Sequence, residues 1–321
     1  MFDRYSRKIN YLRWAVTDRC NLRCAYCMPE ENMHFVPRNQ LLTFEEMASL
    51  LPIFEQIGLT KIRFTGGEPL VRKGIMEFFS SMKNFNFNWH ITTNGVLLGN
   101  HFEDLVNYGL KGVNLSLDTL DQKKFQRITR RNDFHKVMQN LRLVQSSGLQ
   151  LKVNAVIQKG INDDEIFQLM ELAVDNDIEV RFIEFMPFNG KGNHPGFISA
   201  NEIKSKIQLR YPLSQLKSSF GDTAETFIIS GFKGQIGIIP AYTRSFCGSC
   251  NRLRLDAQGA FRTCLYGSTK SGLKKLIRSG ASTCEIRDFI ENIVAGKEKN
   301  GYEAEEKQIG KTLESMSAIG G

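Results

Sequence analysis

Between residues 11 and 185 a short run rich in β-branched and aromatic residues is followed, six times over, by a stretch with amphipathic-helix periodicity. Strand and helix alternating in this way is the signature of βα units, and consecutive units of that kind build a parallel sheet. The strand runs fall at residues 11–17, 61–67, 89–95, 112–118, 151–157 and 178–185. Helix starts lie between them. Thr43 with Glu46 three residues on is a capping box, and Asp163 precedes the periodic run Ile166, Leu169, Met170, Ala173. Pro52 falls inside the first helical run and is expected to kink it. With right-handed crossovers, six units give an open doubly wound sheet or a six-stranded barrel, too few strands for the full eight-stranded one.

After about residue 188 the pattern changes. Gly-rich runs at 226–231 and 235–242 read as antiparallel strands, and two helices follow near Leu273–Arg278 and 285–294, so a smaller C-terminal unit is expected. The last stretch, KEKNGYEAEEKQIGKTLESMSAIGG, is polar and is expected to pack poorly until its end. A chain of 321 residues makes one large domain or two and can enclose a ligand cavity. No run of about 18 apolar residues occurs, and the N-terminus MFDRYSRKIN lacks an apolar leader core, so the expected location is the cytoplasm, with no membrane partner. Seven Cys in such a setting read as metal ligands rather than a disulfide framework. With 42 Lys and Arg against 34 Asp and Glu, the net charge of +8 calls for an anionic partner, a nucleic acid or a phosphorylated small molecule.

Six of the seven cysteines fall into two triplets. Cys20, Cys24 and Cys27 sit directly after the first strand, in TDRCNLRCAYCMPEE, on a loop of the kind that carries chemistry in βα proteins. A structural zinc site closes with four nitrogen or sulfur ligands, and here His34 is the only nearby fourth candidate. A 4Fe-4S cluster held by three Cys instead leaves one iron open to an exogenous ligand. Cys247, Cys250 and Cys264, in FCGSCNRLRLDAQGAFRTCL, are again one thiolate short, and for this triplet alone a zinc ribbon completed by a distant residue stays open. Cys284, in SGASTCEI at a helix start, reads as a buried or bystander thiol.

Strand side chains alternate faces. Lys61, Arg63 and Thr65 therefore oppose Ile62 and Phe64; Asn114, Ser116 and Asp118 oppose Val113, Leu115 and Leu117; Lys152 and Asn154 oppose Leu151 and Val153. If the apolar set packs on outer helices, the polar set points into the barrel, and such a lumen suits a large, polar, anionic ligand. The alternative is a solvated face of an open sheet.

The CxxxCxxC loop after the first strand, with Tyr26 just before the third Cys, resembles that of the radical S-adenosylmethionine (SAM) superfamily. The second triplet, the CNRLRL run, the terminal Gly320-Gly321 and the segments YLRWAVTDRCN, KIRFTGGEPLVR, TTNG, NLSLD, LKVNAVIQKGIND and RFIEFM resemble the GTP 3′,8-cyclase family of molybdenum cofactor biosynthesis. That resemblance implies an α/β fold: a partial (βα)6 radical SAM barrel over residues 1–190 and a smaller C-terminal unit over 191–321 with a second Fe-S cluster and a double-Gly tail. It implies two [4Fe-4S] clusters, one on Cys20, Cys24 and Cys27 and one on Cys247, Cys250 and Cys264. Tyr26, Gly67, Ser116 and Met186 match SAM contacts, and Arg13, Arg63, Thr92, Lys152, Arg252 and Arg254 match GTP contacts, with Lys61 and Arg181 at further basic positions near the triphosphate. Gly320 and Gly321 match a tail that reaches into the active site.

The implied reaction begins with SAM on the open iron of the first cluster, one electron from an external donor, and release of methionine and a 5′-deoxyadenosyl radical. That radical takes hydrogen from the ribose C3′ of GTP, and the carbon radical closes on C8 to give (8S)-3′,8-cyclo-7,8-dihydroguanosine 5′-triphosphate, handed on to cyclic pyranopterin monophosphate synthase. The second cluster would hold the purine. A homodimer is compatible with the sequence. Asp256 departs from the family pattern, which has a small hydroxyl residue there. Two rivals follow from the same residues: another radical SAM enzyme with an auxiliary cluster, and a zinc-stabilised nucleic-acid-binding protein, which predicts colourless protein and salt-sensitive binding.

Overall fold

The structure, a computed structural model, describes residues 1–28, 35–186, 196–244 and 246–307. All six expected strands form and lie side by side in chain order, every pair parallel: β1 (Tyr11–Ala15), β2 (Lys61–Thr65), β3 (Asn88–Thr93), β4 (Gly112–Ser116), β5 (Gln150–Ile157) and β6 (Ile178–Glu184). Helix α1 (Phe44–Gln56) follows β1, α2 (Ile75–Ser81) follows β2, α3 (Phe102–Asn107) follows β3, α4 (Gln122–Thr129) and α5 (Phe134–Ser146) follow β4, and α6 (Ile166–Glu171) follows β5. Most strands end a residue or two earlier than the sequence suggested. Beyond the ladder the backbone bonds between loops instead, as where Gly67 N donates to Thr17 O at 2.8 Å and Glu68 N to Arg19 O at 2.8 Å.

Alternation decides the faces. Ile62, Phe64, Val113, Leu115 and Val153 are wholly buried against the helices, and Trp14 packs its ring 5.3 Å from Phe54 and 5.8 Å from Phe64 and Phe78. The polar set turns the other way. Thr43 and Glu46 make the reciprocal capping box, with the Glu46 N–H donating to Thr43 Oγ1 at 3.2 Å and the Thr43 N–H to Glu46 Oε2 at 2.8 Å. Helix α1 runs through Pro52, with buried Met47, Leu50, Leu51, Ile53 and Phe54 holding residues on both sides of it against the core. One expectation about helices is corrected. Asp163 does not cap α6, which starts at Ile166 behind Glu165; its carboxylate accepts instead from the Gly160 N–H at 2.7 Å.

The second half brings α7 (Ala200–Gln208), β7 (Ser214–Gln215), β8 (Glu225–Ile228), β9 (Gln235–Ile239), β10 (Arg252–Leu255), β11 (Phe261–Arg262), α8 (Leu273–Arg278), α9 (Thr283–Ala295) and α10 (Gly301–Glu306). β8 and β9 pair antiparallel as expected, but β9 also lies parallel to β6, and β10 lies parallel to β1. The result is one row, β11-β10-β1-β2-β3-β4-β5-β6-β9-β8-β7. Among the described strands β1 and β6 never meet, so the six-stranded arc stays open and each of its edges is covered by a strand from the second half.

The closing stretch is corrected over residues 297–307, its remainder lying outside the described residues. Lys297 is 2 % exposed, Glu298 is buried and Ala304 of α10 is fully enclosed, because each polar end finds a partner: Glu298 accepts from Thr263 Oγ1 at 2.7 Å, and Arg7 donates to the carbonyls of Glu298 and Lys299. Asp256 closes the β10–β11 turn, accepting from the N–H groups of Gln258 and Ala260 at 2.9 and 2.8 Å. Cys284 is exposed near the start of α9. Gly320 and Gly321, and His34, lie outside the described residues.

Candidate active site

One cavity of about 310 Å³ is lined by side chains from β1 to β6 and from β9 and β10, which requires the sheet to wrap around it. Arg13, Arg63, Thr92, Asn114, Asn154, Arg181, Arg252 and Arg254 line it, so the polar faces of the strands do converge on a lumen. All six triplet cysteines line the same cavity, as do Tyr26, Gly67, Ser116 and Met186. Of the sequence-derived set, Lys61 and Lys152 stay out of the lining. Lys61 lies over the Tyr11 ring, and Lys152 Nζ pairs with Glu179 Oε2 at 2.6 Å, whose other oxygen takes Arg181 Nε at 2.6 Å.

The first triplet is held from its neighbours. A Cβ on Gly67 would sit 2.4 Å from Arg19 O, and one on Gly66, at φ +154°, 2.3 Å from Thr17 O. The glycine pair therefore exists to let the loop after β2 press against the loop that leads to Cys20. The Gly67 and Glu68 N–H groups are both used in that contact, donating to Thr17 O and Arg19 O. Glu68 is fully buried and accepts from the N–H groups of Leu70 and Asn94 and from Thr93 Oγ1 at 2.9 Å, joining the loops after β2 and β3; burial pushes its carboxyl up to about 7. Asn94 Nδ2 in turn reaches Cys20 Sγ at 3.5 Å. On the far side the Tyr26 hydroxyl donates to Asp118 Oδ2 at 2.8 Å, and burial raises Asp118 to about 6.

The thiols sit in two different fields. Burial, then the Glu68 charge, pushes Cys20 up to about 12, and burial with Asp118 drives Cys24 well above its ordinary value. In the second triplet burial raises Cys247 and Cys264, while at Cys250 burial is overcome by Arg252 and Lys297 and the thiol falls to about 6. Proton release from such buried thiols is driven by the metal that replaces the protons.

The lining is chemically suited to bound groups. Each triplet offers three soft sulfur donors, a set that selects Fe-S clusters or zinc over hard cations. Among the described residues no three His, Cys, Asp or Glu side chains converge as one metal ion requires. Arg63 Nε, Thr92 Oγ1 and Asn154 Oδ1 are buried without a hydrogen-bond partner among the described residues, a costly state that a polar ligand relieves. Burial and the charges of Lys61, Arg63 and Lys152 push His90 down to about 3, so the imidazole beside this basic cluster is neutral.

Sequence reasoning missed four charged lining residues, Arg7, Glu184, Lys297 and Glu298. Glu184 is 1 % exposed and its carboxylate accepts from the N–H groups of Ala200, Tyr242 and Thr243, fixing the segments on both sides of the second half's first strands. Its signal was its place inside RFIEFM. Arg7, ion-paired to buried Asp3 at 2.6 Å and donating to Cys247 O at 3.2 Å, carries no signal in the sequence, and Lys297 and Glu298 were hidden in a polar run.

A profile described as Radical SAM superfamily matches residues 14–173, and one described as Molybdenum Cofactor Synthesis C matches residues 178–303. The chain is 43% identical to "GTP 3′,8-cyclase" of Thermodesulfovibrio yellowstonii, covering 100% of both. It is 41% identical to the mitochondrial "GTP 3′,8-cyclase" of Arabidopsis thaliana, covering 100% of this chain and 83% of the relative. It is 39% identical to "Molybdenum cofactor biosynthesis protein 1" of Homo sapiens, over 92% of this chain and 48% of that one. The crystal structure of Streptococcus suis SuiB bound to S-adenosylmethionine shares the fold, with a TM-score of 0.58 at 14% identity over 88% of this chain and 68% of that one. An open parallel arc whose first loop carries three cysteines into a wrapped cavity thus defines a radical SAM enzyme, with two [4Fe-4S] clusters and SAM as its cofactors. Within that superfamily the chain belongs to the GTP 3′,8-cyclase family.

Proposed function

We infer that this enzyme converts GTP to (8S)-3′,8-cyclo-7,8-dihydroguanosine 5′-triphosphate, the first step of molybdenum cofactor biosynthesis. The observation that carries the reading is the convergence of both cysteine triplets and six arginines on one cavity. Cys20, Cys24 and Cys27 are assigned to the first cluster and Cys247, Cys250 and Cys264 to the second. Together with SAM, these cofactors supply one-electron and hydrogen-abstraction chemistry at the ribose.

The chain itself binds and orients. Arg13, Arg63, Arg252 and Arg254 are assigned to GTP, with Thr92 as a neutral donor; guanidinium forks suit phosphate oxygens. Lys152 acts behind them, through the Glu179 bridge that also fixes Arg181. Tyr26, Gly67, Ser116 and Met186 are assigned to SAM. The Tyr26 hydroxyl is committed to Asp118, so its contribution there is its ring and backbone. Wrapping of the cavity by the arc of strands from β10 to β9 keeps stray hydrogen donors from a reactive carbon centre. An external electron donor, hand-over of product to cyclic pyranopterin monophosphate synthase, a cytoplasmic setting and a barrel-plus-auxiliary division near residue 190 complete the proposal; among the described residues no helix is long and apolar enough to cross a membrane.

Anaerobic reconstitution with iron and sulfide, followed by dithionite, SAM and GTP, tests it. The expected result is loss of GTP matched by one cyclised purine product. SAM cleavage without GTP consumption assigns another radical SAM reaction, and a colourless protein holding zinc refutes the reading altogether.

A further inference from the structure

Lys297 is an unusual residue to find where it lies. It follows α9, is 2 % exposed, and lines the cavity beside the second triplet. Its Nζ donates to the carbonyl of Arg252 at 3.0 Å and to the carbonyl of Thr263. Arg252 stands two residues after Cys250, and Thr263 immediately precedes Cys264. The ammonium group therefore bridges the two chain segments that carry these cysteines, which are joined otherwise by the short β10–β11 ladder.

The partners of Lys297 among the described residues are neutral carbonyl oxygens, and the adjacent carboxylate of Glu298 is engaged by Thr263 Oγ1. A buried ammonium without an anionic partner is unfavourable, so the site as built expects negative charge nearby. A [4Fe-4S] cluster ligated by three thiolates is anionic, and more so once reduced. A cation at fixed distance from an iron-sulfur cluster stabilises its reduced form, and partners outside the ligand set orient the ligands themselves.

We propose that Lys297 is a positioning residue for the second cluster: it holds the Cys250 and Cys264 segments in register through two carbonyls and sets the cluster's reduction potential through its charge. The inference rests on the reading that Cys247, Cys250 and Cys264 carry a cluster. The background for the test is the chain with Cys20, Cys24 and Cys27 all changed to Ala, in which a single cluster reports. Lys297→Met and Lys297→Arg are compared in it by iron content, electron paramagnetic resonance of the reduced cluster, and a redox titration. The expected result is a midpoint potential shifted to more negative values in Lys297→Met with partial loss of iron, and return of both towards the background values in Lys297→Arg. Full iron and an unmoved potential in Lys297→Met overturn the proposal while the cluster reading stands. If Lys297→Met takes up no iron, Lys297→Arg decides: restored iron and potential support it, and failure to restore them overturns it. A background protein that binds no iron at all overturns the cluster reading and the proposal with it.

Discussion

The two cysteine triplets face one cavity but are built on opposite plans. The first is local: its three thiols lie within eight consecutive residues after β1, and the loops after β2 and β3 press on it through Gly67, Glu68 and Asn94. The second is assembled from remote pieces. Cys247 is touched by Arg7 near one end of the chain, and the segments of Cys250 and Cys264 are tied by Lys297 near the other. The fields differ as well: burial, reinforced by the Glu68 carboxylate, leaves Cys20 near 12, whereas at Cys250 burial is overcome by Arg252 and Lys297 and the thiol lies near 6. A short loop with three ligands needs only close packing from its neighbours, whereas a dispersed set needs charged ties across the molecule.

That contrast can be broken in order of severity. Changing Cys20, Cys24 and Cys27 to Ala is expected to abolish SAM cleavage and halve the iron, while the same change at Cys247, Cys250 and Cys264 halves the iron but leaves dithionite-driven methionine release; methionine release surviving the first change would undo the assignment. Arg7→Met strands Asp3 as a buried charge and is expected to cost about 3–5 kcal/mol in chemical denaturation, loosening the second site before the first. Gly67→Ala meets Arg19 O and is expected to cost about 1–3 kcal/mol, with loss of the first cluster's iron and retention of the second's. Arg252→Ala should weaken GTP binding by about 2 kcal/mol in titration calorimetry of iron-replete protein, with both clusters intact.

The pH response has opposite signs in the two regions. Burial raises Glu68 from an ordinary 4.5 to about 7, so the fold resists its ionisation and stability falls as pH climbs between those values; Glu68→Gln removes that slope. Exposed Glu303 on α10 is held down to about 2 by Lys307 and the Lys299 N–H, so its small, salt-screened contribution is present above 4.5 and lost as pH falls towards 2. Urea midpoints across this range, with Glu68→Gln and Glu303→Gln alongside wild type, check both slopes; parallel curves for all three would contradict them.

What the sequence made legible follows the same division. Alternation on β2, β4 and β5 placed Arg63, Asn114 and Asn154 in the lumen because a strand's period fixes which residues share a face. Cys20, Cys24 and Cys27 were readable for the same reason of proximity. Lys152 was read as facing the ligand, but it shares its face with Glu179 on the adjacent strand, and the ion pair turns it aside; cross-strand register is not written in either strand alone. Arg7 and Lys297 were unreadable, since a single buried cation has no periodicity and the carbonyls they meet lie between 34 and 292 residues away along the chain. The glycine pair was visible as a turn, but its purpose lay in the loop it touches.

The strand order also governs when the molecule can be completed. β1 leaves the ribosome 241 residues ahead of its partner, since Tyr11 pairs with Arg252, and β6 waits for β9. At typical synthesis rates of about 5–20 residues per second, the outer edge of β1 stays bare for tens of seconds. An uncovered parallel edge is a template for pairing with other chains, and late long-range pairing slows folding. The nascent arc is thus a natural client for chaperones, and iron can be delivered to the complete second triplet only after Cys264 has been made.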